Sequence, residues 1–211
     1  MLSKLSRWAA PAAITGGALW ALFPLGDFLI SNENYRTGTL AYVAASAVDW
    51  IMAVVPLLLL LVGLLAMYAL HRRDYGRLGN AGFFVSSVAL ALMFVGNATE
   101  VASLTFAGSE SSVGHLAFLI GFLLLVIGSV PLGAALVRTR RDPVSRTGGA
   151  LLIGLLPVGI LLAVLLGTLA PGTDVGFWAA ITVPYGTAWV LMGYSLRPHQ
   201  TASAGQPARV A

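Results

Sequence analysis

Four ionisable residues stand inside or beside long apolar stretches of the chain: Asp27, Asp49, Glu100 and His115. Counted from the arginine-rich loops between the apolar stretches, all four fall at a similar depth, within about two helical turns of the far membrane boundary. Ionisable side chains in membrane segments are by default candidates for ion, proton or substrate sites. A second interpretation stays open, in which headgroup water simply solvates them at the ends of helices.

A polar stripe and the helix dipole favour the first interpretation. Asn97, Glu100 and Ser103 are spaced three apart and share one face of a helix, which should turn towards protein or water rather than lipid. Asp27 and Glu100 lie where predicted helices end, and the negative end of the dipole disfavours a carboxylate there. The predicted ligand- or ion-binding candidates are Asp27, Asp49, Asn97, Glu100, His115 and, from the last helix, Tyr185.

Other chemistries have weaker support in the sequence. His115, Asp49 and Glu100 are acceptable metal ligands by type, but they come from different segments without a signature spacing. Ser111 and Ser112 precede His115 without the Gly-x-Ser-x-Gly elbow of a hydrolase. No lysine lies within an apolar stretch, which excludes a retinal Schiff base, and no paired histidines suit haem. We therefore predict no catalytic residue, no metal and no cofactor.

Membrane helices are the elements that must position these residues. The chain has 211 residues, of which 58% are hydrophobic and 9% charged, and it contains no cysteine. Residues 51–70 form an uncharged run that spans about 30 Å as a helix, close to the thickness of a bilayer core. Asp49 and Trp50 stand at one end of this run, and His71, Arg72 and Arg73 stand at the other. The composition therefore predicts an all-α, polytopic membrane protein.

Hydropathy along the chain predicts a bundle of six transmembrane helices. The first predicted helix follows the basic Lys4 and Arg7, as the apolar core of a signal peptide would, but its apolar run is longer, and we interpret it as a span. Residues 40–48 are interpreted as an extension of the second helix, and residues 197–211 as a disordered cytoplasmic tail. The predicted helices cover residues 8–30, 40–70, 80–101, 113–137, 148–170 and 175–196.

The charges divide between the two ends of this six-helix arrangement. Eleven of the twelve basic residues fall at one end and only Arg36 at the other, whereas six of the eight acidic residues fall at the end opposite the arginines. Lysine and arginine prefer the cytoplasmic side of a membrane. Both termini are therefore predicted to be cytoplasmic, and the layer of ionisable residues is predicted to lie near the outer surface of a plasma or inner membrane.

Prolines and glycines shape the predicted bundle. Pro24, Pro56, Pro131, Pro157 and Pro184 fall in every predicted span except the third. Each proline frees a backbone carbonyl, so kinks in membrane helices tend to be buried or to line a cavity. The small residues are interpreted as sites of close helix packing rather than ligand sites. Examples are Gly121, Gly128, Gly154 and Gly159.

Three functions from different classes fit these features. The favoured hypothesis is a small transporter, channel or ligand-binding membrane subunit with an outward, acidic cavity for a small cation or small-molecule ligand. The second is a membrane-embedded enzyme that acts on lipid at the outer leaflet, with Glu100 or Asp49 as acid or base and His115 as partner or metal ligand. The third is an accessory subunit of a membrane complex. The predicted partners are the lipid bilayer and, as open alternatives, a second copy or another membrane subunit; nucleic acid is not expected.

Overall fold

The computed structural model describes residues 7–30, 36, 38–139 and 142–204, and every regular element within these ranges is helical. The predicted all-α architecture is confirmed for this part of the chain. We number the helices α1 to α7 in chain order. They are α1 (Ala9–Ile30), α2 (Leu40–His71), α3 (Gly76–Ala107), α4 (Ser112–Thr139), α5 (Pro143–Ile153), α6 (Leu155–Leu169) and α7 (Val175–Ala204).

Five of these helices are each long and apolar enough to cross a membrane, namely α1, α2, α3, α4 and α7. Helices α5 and α6 pass the same test only together, and they meet at an angle of 72° around Gly154. Pro157 accounts for the break, because it has no N–H and its ring would clash with the carbonyl of Ile153, where α5 ends. Five or six apolar spans within the described residues indicate a multi-pass membrane protein.

Several helices extend beyond the limits that hydropathy predicts. Helix α3 covers Gly76–Ala107 rather than 80–101, and α7 continues to Ala204, eight residues into the predicted tail. Polar and small residues such as those of 197–204 continue the helix beyond its apolar part, so hydropathy marks the apolar part rather than the whole element. The rest of the predicted tail, 205–211, and most of the predicted outer loop, 31–35 and 37, lie outside the described residues.

Helix α2 is continuous from Leu40 to His71 but changes its winding near Asp49. Pro56 has no N–H, so the carbonyl four residues before it loses its usual helical partner. A π turn covers Trp50–Val54. In it the N–H of Val55 donates to the carbonyl of Trp50, five residues earlier instead of the usual four. π turns are rare and frequently occur at functional sites, and this one immediately follows Asp49.

Helices α3 and α4 pack closely along a row of small residues. Gly82, Ala89 and Gly96 recur at intervals of seven on α3, and Gly114, Gly121 and Gly128 do so on α4. A Cβ atom placed on Gly82 would lie 2.5 Å from the backbone nitrogen of Leu132, well inside the 3.4 Å at which ordinary contact begins. A seven-residue repeat of this kind keeps one seam in contact along two helices. The spacing fixes which faces of α3 and α4 meet.

Helix α1 is an integral part of the bundle and packs between α7 and α2. Gly17 faces the carbonyl of Gly186 on α7, where a Cβ atom would approach to 2.5 Å. Trp20 on α1 and Trp189 on α7 are fully buried. These contacts hold the C-terminal end of α1, with Asp27, beside the first turns of α7 and the π turn of α2.

Candidate functional site

A cavity of about 250 Å³ opens where α1 and α3 end and where α4 and α7 begin. Five of the six predicted site residues line it, so the ionisable layer converges on one space rather than pointing to different sides of the bundle. The sixth, Tyr185, lies outside the lining. The cavity is lined by Phe23, Asp27, Asp49, Ala53, Asn97, Glu100, Val101, Leu104, Glu110, His115, Phe118, Asp174 and Trp178.

The π turn of α2 brings Asp49 and Ala53 to the cavity wall, and Asn97 of α3 fixes that wall in place. The side-chain amide of Asn97 donates to the carbonyl oxygen of Ala53 at 3.0 Å. Nearer the mouth, the hydroxyl of Tyr42 donates to the carbonyl of Leu104, which joins the beginning of α2 to the end of α3. Irregular backbone in a membrane protein needs such partners from neighbouring helices. Asn97 therefore stabilises the wall as well as lining it.

Glu100 and His115 form a pair across the seam between α3 and α4. His115 Nδ1 lies 3.4 Å from Glu100 Oε2, with the histidine side chain 56% exposed and the glutamate 17% exposed. The pair follows from the glycine packing, because a Cβ atom on Gly114 would lie only 2.8 Å from the carbonyl oxygen of Gly96. Glu100 lies one turn beyond Gly96, and His115 is the next residue after Gly114. Close approach of the two backbones thus places the two side chains within reach of each other.

The inner part of the cavity is aromatic, which the sequence reasoning missed. Trp178 contacts Phe23 with ring centroids 5.1 Å apart and Phe118 with centroids 6.0 Å apart. The sequence does contain a pattern that could have identified these rings, because each lies three or four positions from an ionisable residue that lines the cavity. One helical turn separates Phe23 from Asp27, Phe118 from His115 and Trp178 from Asp174. In each helix the aromatic residue is the inner member of the pair.

Two further carboxylates at the mouth were assigned by sequence only to outer loops. Glu110 lies between α3 and α4, Asp174 directly precedes α7, and both are exposed. With Asp27, Asp49 and Glu100 they make five carboxylates around one cavity. No lysine or arginine of the described ranges lines it. Walls of low polarity focus the field of charged groups, so a cleft that gathers carboxylates in this way favours the approach of cations.

Tyr185 occupies the core instead of the cavity. It lies on α7 seven residues after Trp178, or about 10 Å deeper along the helix axis. Its side chain is 1% exposed and packs against Trp189, with ring centroids 6.1 Å apart. Tyr185 and Trp178 lie on a similar face of α7, but the two helical turns between them place Tyr185 too deep to reach the cavity.

The arrangement brings five carboxylates and one imidazole to a single cavity, a combination that is chemically suited to a cation. Within the described part of the chain, no three of the histidine, aspartate and glutamate side chains are grouped closely enough to hold a metal ion. His115, Asp49 and Glu100 line the same cavity but do not form a coordination shell. The chain matches no family model, no curated protein and no solved structure.

Proposed function

We propose that the protein crosses the membrane six times, with α5 and α6 together forming one bent span, and that the cavity opens on the extracytoplasmic side. The basic loops at the opposite end support this orientation, because lysine and arginine prefer the cytoplasm. Arg72 and Arg73 follow α2, Arg77 lies in the first turn of α3, and Arg138 lies in the last turn of α4. Both termini would then be cytoplasmic.

The proposed function is capture of a small cation in this outward cavity, as a transporter, channel or ligand-binding membrane subunit. The observation that carries it is the convergence of five carboxylates from α1, α2, α3 and two loops on a single cavity that no described lysine or arginine lines. Attraction between each half-buried carboxylate and a cation about 6 Å away is about 3 kcal/mol at an effective dielectric constant near 20. Solvent screening reduces this value for the exposed carboxylates.

Equilibrium binding of radiolabelled sodium and methylammonium to the protein in lipid nanodiscs tests the proposal. Low ionic strength is required, because salt screens charges separated by more than the Debye length. We expect saturable binding that weakens by at least about tenfold in the double variant Asp49→Asn, Glu100→Gln. Asp74→Asn is the matched control, since this exposed carboxylate lies in the loop after α2, away from the cavity. Equal binding to wild type and to the double variant would refute cation capture.

The Glu100–His115 pair also supports a second candidate, an enzyme that acts on lipid at the outer leaflet. His115 lines both the cavity and a neighbouring groove of about 240 Å³, which includes Leu116 and Leu119. Leu116 is exposed on the side of α4 that would face lipid. A lipid headgroup in the groove would lie beside an imidazole that its glutamate partner orients. Headgroup release from outer-leaflet phospholipid, lost in His115→Gln, would favour this candidate, and a stable lipid pool would exclude it.

A further inference from the structure

Building on the proposed cation capture, we propose that the ligand is a small organic ammonium ion with an apolar body, and that the aromatic floor of the cavity selects it over inorganic cations. The floor consists of Phe23, Phe118 and Trp178. The carboxylates alone would not distinguish these two kinds of cation. Three features of the cavity favour an organic over an inorganic cation: its aromatic floor, the wide spacing of its carboxylates, and its volume.

The aromatic floor supplies what an organic cation needs and a metal ion does not. Trp178 lies between Phe23 and Phe118, in contact with both rings. Aromatic side chains offer large, flat apolar surfaces that pack well against the apolar body of an organic cation. The same rings bury the apolar part of a ligand, and removal of that surface from water favours binding.

The carboxylates are spread around the cavity rather than grouped. Calcium requires six to eight oxygen ligands in one shell, and magnesium a near-octahedral set. Among the residues that the structure describes, no three acidic or histidine side chains come together in this way. A diffuse ring of negative charge suits a cation that is bound by hydrogen bonds and longer-range attraction rather than by inner-shell coordination.

Depth within the cavity gives the ligand an orientation. Three ionisable residues lie one helical turn closer to the membrane surface than a ring of the floor: Asp27 relative to Phe23, His115 relative to Phe118, and Asp174 relative to Trp178. Charged groups therefore surround the outer half of the space and aromatic groups the inner half. An ammonium ion with one apolar end matches this division when its charged head points outward.

The volume limits the size of the ligand. About 250 Å³ accommodates roughly eight water molecules at their share of liquid volume. It also falls just below the range of about 300–1,000 Å³ that is usual for drug-sized ligands. An arylalkyl or short alkyl monoamine fits this space, whereas a peptide or a nucleotide does not.

The test measures binding of 2-phenylethylammonium to the full-length protein in nanodiscs. Sodium serves as the inorganic probe and 2-phenylethanol as the neutral competitor of the same shape. We expect 2-phenylethylammonium to bind more tightly than sodium, and 2-phenylethanol not to displace it. Trp178→Leu should weaken 2-phenylethylammonium binding by about three- to thirtyfold and weaken sodium binding by less, because the ring contacts the apolar body that sodium lacks. Trp178→Phe, which keeps a ring, should retain most of the affinity.

Trp8→Leu is the matched control, because Trp8 is an exposed tryptophan that lies before α1, outside the cavity. If Trp178→Leu fails to fold, Phe118→Leu takes its place with the same expectation. Sodium binding that equals 2-phenylethylammonium binding, with no effect of the floor variants, would overturn the choice of ligand and leave cation capture intact. Absence of binding by either cation would overturn both proposals.

Discussion

Replacement of Gly96 by alanine tests whether the seam between α3 and α4 positions the site. A Cβ atom on Gly96 would lie 2.5 Å from the backbone nitrogen of Phe118 and 2.7 Å from the carbonyl oxygen of Gly114. Neither atom can rotate away, since both belong to the backbone of α4. To restore ordinary contact at 3.4 Å, the helices must separate locally by about 0.7 to 0.9 Å.

That separation has a cost in stability and a consequence for the site. Forcing an extra methyl group into a packed interface typically costs about 1–3 kcal/mol. The Glu100–His115 pair lies one turn away at 3.4 Å, so the same shift takes it beyond the usual 4 Å limit of an ion pair. We therefore expect Gly96→Ala to weaken both the fold and any cation binding that depends on Glu100.

The assay is unfolding of the purified protein in mixed micelles with increasing denaturing detergent, followed by circular dichroism. Gly167→Ala is the matched control, because it makes the same chemical change in helix α6, where a Cβ atom meets nothing within 4 Å. Both variants gain the same helix propensity, of about 0.5–1 kcal/mol, so their difference isolates the steric cost. We expect Gly96→Ala to be less stable than Gly167→Ala by about 1–3 kcal/mol. Equal stabilities would show that the seam does not hold the two helices at this spacing.

Two further predictions concern the wall of the cavity and the orientation of the chain. Asn97→Leu removes the donor to the carbonyl of Ala53 and should lower the free energy of unfolding by about 0.6–2 kcal/mol. Thr99→Val is the control and should lower it by less, because the hydroxyl of Thr99 bonds within its own helix. Equal losses in the two variants would contradict a role for Asn97 in holding the cavity wall. In this cysteine-free chain, Glu110→Cys should react with an impermeant thiol reagent in intact cells, and Asp74→Cys only after permeabilisation. The reverse labelling pattern would invert the proposed orientation.

The depth of the candidate residues could be predicted from the sequence, because depth depends on counting residues from charged loops. Asp27, Asp49, Glu100 and His115 all lie at the same end of the bundle, as predicted. Their rotation about each helix axis could not be predicted in the same way. Rotation depends on which glycine faces which backbone, and the seven-residue spacing along α3 and α4 becomes informative only when the two helices are known to be partners.

The aromatic floor and the breaks in the helices were harder to predict for a different reason. Apolar rings such as Trp178 are indistinguishable by type from residues that face lipid or the core, and their position relative to an acidic neighbour is a weak signal. Pro56 and Pro157 both predicted irregular backbone, but the outcome differs: one produces a π turn inside a continuous helix and the other a bend of 72°. Asn97 of the neighbouring helix donates a hydrogen bond to the carbonyl of Ala53 within the π turn, a contact that the sequence of α2 alone does not reveal.

Bromine anomalous scattering tests capture of an organic cation in the cavity most directly. Crystals grown from a lipid mesophase with 2-(4-bromophenyl)ethylammonium would be compared with crystals grown with the corresponding neutral alcohol. The proposal predicts a bromine peak beside the ring of Trp178 and density for the ammonium group among Asp27, Asp49 and Glu100, with no such peak for the alcohol. An empty cavity at saturating ammonium concentration, or equal peaks for the amine and the alcohol, would contradict it.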